Sequence, residues 1–305
     1  MPISAAENAE MSSSQLYLGL PMWSHSHWQH SVYQQCQQSE RLARYAQVFN
    51  TVEGNTTFYA TPSLNTVNNW ASATDDNFRF TFKLPKSITH EHKLHNCQQA
   101  LAEFFNVMAE LHEKVGVWKI QLPSKFGPRD LPILNNFLTQ LPADMQFGVE
   151  VRHREFFAKG DAEKLLNRML IEHNCNRIIM DTRAVFAAPP TTAAIIDAHE
   201  KKPKVPVHPI ATAENPIIRF VGEHDLDKNQ HYFNNWLTQI PKWLAQGKQP
   251  YLFIHTPDND FAPEQAIHFY QQLRAKLSNM GLPTLANIEL PQSNDASQDQ
   301  LDLGF

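Results

Sequence analysis

The sequence predicts an α/β protein of the (β/α)8 TIM-type barrel class, and three observations predict it. Eight short runs rich in β-branched or aromatic residues recur along 305 residues. Stretches with apolar residues at three and four spacing separate them, so strand and helix alternate. The first strand-to-helix turn, PMWSHSHWQH (21–30), lacks the glycines with which an open dinucleotide-binding sheet begins. An open doubly wound sheet needs the same alternation, but the count of eight favours closure into a barrel.

The elements follow in order. QLYLGL (15–20) is the first strand, and its helix spans 39–47 with Ser39 as N-cap. VFNTVEGN (48–55) precedes a helix over 63–73, and FRFTFKL (78–84) one over 96–113. KVGVWKIQL (114–122) leads to 129–141, and MQFGVEV (145–151) to 161–173. NRIIMD (176–181) runs into an irregular Pro- and Ala-rich insertion at about 185–213, which belongs at the barrel mouth. NPIIRFVG (215–222) and PYLFIH (250–255) complete the strands, with helices over 230–246 and 263–279.

The barrel domain thus occupies 15–286. Residues 1–14 read as a disordered N-terminal segment, without the basic start and apolar run of a signal peptide. Residues 287–305 read as a flexible tail, because PQSNDASQDQ has no apolar periodicity.

Composition narrows the function. An apolar content of 42% supports a sizeable core, and a net charge of −5 excludes a global positive field for nucleic acid or anionic membrane. Cys36, Cys97 and Cys175 are odd in number and widely spaced, which reads as reduced thiols. No run approaches the roughly 18 apolar residues of a membrane span. The expectation is a cytoplasmic protein with no membrane partner.

Catalytic groups of such barrels gather at the C-terminal ends of the strands. Glu53 and Asn55 share one face of strand two by two-residue alternation. Lys83 ends strand three and Gln121 strand four; Glu150 and Arg152 share a face of strand five, with His153 just beyond. Asp181 ends strand six, Arg219 lies in strand seven and His255 ends strand eight. Charges inside apolar strands are costly to bury unless paired or used. Lys83, Arg152 and Arg219 suit a carboxylate or phosphate. Glu53, Glu150 and Asp181, with His153, are the candidate acids and bases, and the carboxylates could also hold a divalent ion. For each residue the alternative is an ion pair that only braces the barrel mouth. His25 and His27 form an HxH after strand one; in a chain with fifteen histidines this spacing reads as a polar loop, so no metal ligand is assigned.

The segments YAQVFNTVEGNTTFYATPS (45–63), FRFTFKLPKSITH (78–90), IQLPSKF (120–126), FGVEVRHREFF (147–157) and IIRFVG (217–222) together resemble the YecE-like family, domain of unknown function 72. The resemblance covers about 16–280. It implies a TIM-type barrel and supplies no reaction. Glu53, Asn55, Phe58, Tyr59, Lys83, His90, Gln121, Glu150, Arg152, His153 and Arg219 match its motif positions, which adds Tyr59 and His90 to the ligand-binding candidates. His25 does not match. Gly54 stands where a β-branched residue is usual, and IHTPDN (254–259) replaces an aromatic-Asn-Asn ending, so the resemblance does not support His255 as a site residue unless it belongs to a subgroup.

The chain closes on QLDLGF (300–305), which resembles the QLxLxF hexapeptide by which bacterial proteins bind the DNA polymerase sliding clamp, with Gln300, Leu301, Leu303 and Phe305 at the fixed positions. Apolar anchors on a flexible leash suit a preformed groove. Such tethering would bring an acidic protein to DNA without a basic surface. The expectation is therefore a clamp-recruited phosphoester hydrolase acting on nucleic acid or nucleotides. The alternatives are a metabolic enzyme on a small phosphorylated or carboxylated substrate, and a non-enzymatic ligand-binding or adaptor protein.

Overall fold

A computed structural model describes residues 15–282 and 288–291. Its strands are β1 (Tyr17–Leu20), β2 (Thr51–Gly54), β3 (Arg79–Lys83), β4 (Val115–Gln121), β5 (Phe147–Glu150), β6 (Asn176–Asp181), β7 (Ile217–Val221) and β8 (Tyr251–His255). They pair in chain order, all parallel, and β1 pairs β8 to close the barrel. The expected fold class is therefore observed.

The outer ring holds α1 (Arg41–Val48), α2 (Leu64–Ser72), α3 (Gln98–Val107), α4 (Leu131–Leu138), α5 (Asp161–Glu172), α6 (Arg183–Ala187), α7 (Ala193–Lys201), α8 (Leu226–Ala245) and α9 (Ala262–Asn279). Local chemistry starts several of them. The Ser63 hydroxyl accepts the Thr66 amide at α2, and Asp225 accepts the Asp227 amide at α8. Pro263 sits in the first turn of α9, where a missing N–H costs nothing. The segment read as an irregular insertion contains the end of α6 and the whole of α7. Thr192 caps α7, but its alanines and the flanking Pro189 and Pro190 hide the amphipathic period.

Side chains alternate across each strand. The outward set, including Leu18, Val52, Phe80, Phe82, Trp118, Val149, Ile218 and Leu252, joins the helices in one large apolar core. Inside, Tyr17, Val117, Ile178, Ile217, Tyr251 and Phe253 form a separate apolar plug that seals the lower barrel. Continuing each inward series upward from the plug leads to Lys119 and Gln121, Arg219, and His255. Polar groups therefore stack on an apolar floor at the C-terminal end. Glycine allows close approach at several points of the barrel: a Cβ on Gly19 would lie 2.0 Å from the Thr51 carbonyl oxygen, and one on Gly54 would lie 2.1 Å from the Phe82 ring. The second contact leaves no room for a branched side chain at Gly54 beside Phe82.

Candidate functional site

Arg219 is the centre of a buried ionic cage. Its Nε donates to Glu53 Oε1 at 2.7 Å and its Nη2 to Glu53 Oε2 at 3.1 Å. Its Nη1 donates to Glu150 Oε2 at 2.7 Å and contacts Met180 Sδ at 3.3 Å. Glu150 Oε1 also accepts from Arg152 Nε at 2.9 Å. Lys119 Nζ lies 3.1 Å from Glu53 Oε1, and His255 Nε2 lies 3.3 Å from Glu53 Oε2. One side chain from β7 thus ties β2 to β5, with β4 and β8 contributing.

Burial and charge set the protonation states. Burial alone would raise the Glu53 carboxyl, but Arg219 and Lys119 overcome it and hold it well below the usual carboxylate range. Burial likewise opposes ionisation of Glu150, and Arg219, Arg152 and Lys83 outweigh it. Burial pushes Lys119 down to about 8 against the pull of Glu53. It pushes His255 down to about 4, so this imidazole is neutral at pH 7. Lys83 falls to about 7 through burial, with Arg219 adding to the effect.

Above the cage opens a cavity of about 610 Å³, lined by Glu53, Asn55, Tyr59, Lys83, Arg219 and His255 with Lys202, Asn259 and Pro21–Ser24 among others. Lys202 comes from the loop after α7, and burial and then Arg219 push it down to about 8. Neither Lys83 nor Lys202 has an ion-pair partner among the described residues; Lys83 only faces the Phe58 ring at 5.5 Å. The Asn55 amide nitrogen donates to the Pro21 carbonyl at 2.9 Å, which leaves its Oδ1 buried without a partner, as is Asn259 Oδ1. Five cations (Lys83, Lys119, Arg152, Lys202 and Arg219) thus surround two carboxylates that are already paired.

The other sequence-derived candidates are placed differently. Asp181 is buried on the outward face of β6, in step with Arg177 and Ile179. It accepts from Arg183 Nε at 2.9 Å and from Trp236 Nε1 at 2.8 Å, so it braces α6 and α8 and does not line the cavity. Gln121 is buried above Lys119, with its Oε1 unpartnered. His90 packs edge-on against Phe58, within hydrogen-bond distance (2.9 Å) of the Thr89 hydroxyl. The His153 Nδ1 accepts the Glu155 amide and starts a short helical turn. Arg152 lines a neighbouring cavity of about 460 Å³ with Arg154, Lys202 and Lys204. Gln300, Leu301, Leu303 and Phe305 lie outside the described residues.

Two cations of the site, Lys119 in the buried cage and Lys202 in the cavity wall, were not singled out from sequence. Lys119 carried a signal, because alternation from Gln121 puts it on the inward face. Lys202 carried only the placement of the 185–213 segment at the mouth; nothing sets it apart there from Lys201 and Lys204 beside it. The fold also gathers His25, His27 and Asp260, whose potential ligand atoms lie within 4.8 Å of one another. Ser24 and Asn259, their chain neighbours, line the cavity.

Comparison with known proteins agrees with this architecture. UPF0759 protein YecE of Escherichia coli K12 is 46% identical over 266 residues, covering 87% of this chain and 95% of that protein. A crystal structure of a DUF72 family protein from Enterococcus faecalis V583 superposes with a TM-score of 0.67 at 18% identity, over 91% of this chain and 99% of that one. One from Thermotoga maritima MSB8 gives 0.63 at 20% identity, over 85% and 99%. Residues 17–289 match the family described as Protein of unknown function DUF72, and the chain belongs to that family.

Proposed function

We propose that the barrel mouth binds a small phosphate- or carboxylate-bearing ligand and acts on it, with phosphoester hydrolysis as the reaction class. One observation carries this reading: the buried carboxylates are engaged by Arg219, Arg152 and Lys119, while Lys83 and Lys202 line the cavity without a direct ion-pair partner among the described residues. An anion there would complete the pairing. Arg219 is held rigid on both sides, and four of its five N–H groups are in use, which leaves one on Nη2 for a ligand. Such preorganised cations stabilise charge that develops on phosphoryl oxygens. The cavity volume suits a sugar phosphate or one nucleotide unit, including one at a strand end. Glu53 and Glu150 serve in this reading as anchors for the arginines, not as free bases.

Calorimetric titration with sulfate and inorganic phosphate tests the reading. Wild type binds one anion per chain, and Lys202→Ala weakens binding about 10-fold or more, the worth of one charge-assisted hydrogen bond. Absence of binding by wild type would sink it.

The tail sequence favours recruitment to DNA by the sliding clamp, through Gln300, Leu301, Leu303 and Phe305. Binding to purified clamp that disappears in Leu301→Ala/Phe305→Ala supports this. If intact protein does not bind, the replication link is lost and a metabolic phosphate or carboxylate ester becomes the leading substrate class.

A further inference from the structure

We propose that His25, His27 and Asp260 form a site for a divalent first-row transition ion, zinc foremost, at the rim of the anion cavity. The site stands on its own geometry; only its use in catalysis rests on the phosphoester reading above.

Three donors of the right type converge. His27 Nδ1 lies 3.1 Å from Asp260 Oδ1, and His25 Nε2 lies 3.6 Å from the same oxygen. Bonds of about 2.0–2.2 Å to a tetrahedral ion place its ligand atoms roughly 3.2–3.6 Å apart, which the two contacts to Asp260 Oδ1 match; ligation through His25 Nε2 moves that ring's proton to Nδ1 and replaces the long bond (3.4 Å) that Nδ1 accepts from the His27 amide. Two imidazoles with one carboxylate select zinc and its neighbours over magnesium or calcium, which prefer all-oxygen shells. Three protein ligands leave a fourth position for water, and the exposed ring of His27 keeps that side open to solvent.

The surrounding structure holds these donors in place. The Tyr33 hydroxyl accepts the His25 amide at 3.0 Å and donates to the Trp23 carbonyl at 2.7 Å. Buried Trp28 packs against the His25 ring and donates its indole N–H to the Asn259 carbonyl at 2.8 Å. That bond fastens the loop after β1 to the loop after β8. Asp258 accepts the Asp260 amide at 3.1 Å through one oxygen and pairs with His224 at 2.7 Å through the other. An outer shell of this kind orients metal ligands. Ser24 and Asn259 lie next in chain to His25 and Asp260 and line the cavity, so an ion here sits beside it. It would supply the activated water that the arginine-bound carboxylates do not.

The test uses the full-length chain, free of any tag and stripped with a chelator, titrated with Co²⁺ and Zn²⁺. One equivalent of Co²⁺ is expected, with visible absorption of a four- or five-coordinate ion that Zn²⁺ abolishes. His27→Ala and Asp260→Ala each weaken binding by more than about 100-fold, beyond the cost of losing an outer-shell partner. His30→Ala, an exposed neighbour, leaves it unchanged. His27 is 67% exposed, so its variant keeps the wild-type unfolding midpoint. No saturable binding by wild type, or equal binding by His27→Ala, overturns the site. Sulfate titration of the metal-free protein separates the two proposals. If sulfate binds and metal does not, the cavity reading stands and the metal site falls; the converse result retains the metal site and removes the cavity reading.

Discussion

Removing the Glu53 charge is the sharpest test of the ionic cage. Glu53→Gln keeps the shape but takes away the carboxylate that faces Arg219, Lys119 and His255. Lys119 can relieve its own loss. It titrates at 10.5 as an unperturbed lysine and at about 8 in the fold, so burying its charge already costs about 3 kcal/mol below both values. Discharging it completely at pH 7 costs about 5 kcal/mol, which limits the added penalty at this residue to about 1–2 kcal/mol. Arg219 has no such escape and must keep its charge with Glu150 alone. The total should fall in the range of about 3–5 kcal/mol expected when one partner of a buried pair is removed. Urea unfolding at pH 7, followed by the fluorescence of the six tryptophans, measures it. Glu53→Gln/Lys119→Met should recover the lysine's share, because no amine then remains to discharge. The sign of the pH response follows too. Lysines depressed in the fold bind more protons when unfolded, so stability rises with pH between the folded and unfolded values. That rise starts near pH 8 for Lys119 in wild type and below it in Glu53→Gln. A loss under about 1 kcal/mol, the worth of a solvated surface pair, refutes the cage as an energetic unit.

Three further outcomes are expected. Sulfate, whose own charge is fixed, binds more weakly as pH rises through about 7 and about 8, where Lys83 and Lys202 lose their protons; Lys83→Met removes the lower step in calorimetric titrations. Gly54→Ala drives a methyl into the Phe82 ring and costs about 1–3 kcal/mol in urea unfolding, part of which Phe82→Leu restores. The native protein reacts with a thiol reagent at Cys36 before Cys175, because Cys175 is buried and burial pushes its thiol up to about 12; peptide mapping of the labelled chain reads this directly.

The barrel and much of its ionic centre were legible because both follow two-residue alternation. Glu53 with Asn55 and Glu150 with Arg152 fall on the inward face by counting alone. The same counting from Gln121 reaches Lys119, and from Arg177 and Ile179 it sends Asp181 outward to Trp236. Asp181 entered the candidate set because it ends its strand, and its side chain lies outside the cavity lining. Helices α6 and α7 were hidden by alanines and prolines that blur the apolar period. Lys202 over the cavity and Asp260 beside His25 are different in kind. Each juxtaposition joins loops from distant parts of the chain, and no local pattern encodes which loops meet when the barrel closes.

The guanidinium of Arg219 has a consequence for time as well as for binding. Its carboxylate partners lie 166 and 69 residues away along the chain, and it reaches Glu53 on β2 only once β8 and β1 have closed the barrel. Contacts of such separation form late, after the entropy of closing long loops has been overcome. Interactions absent from the transition state slow unfolding without speeding folding. A cage formed this late would act as a latch on a finished barrel: Glu53→Gln is expected to speed unfolding and leave the folding rate almost unchanged, a φ-value near zero in stopped-flow measurements.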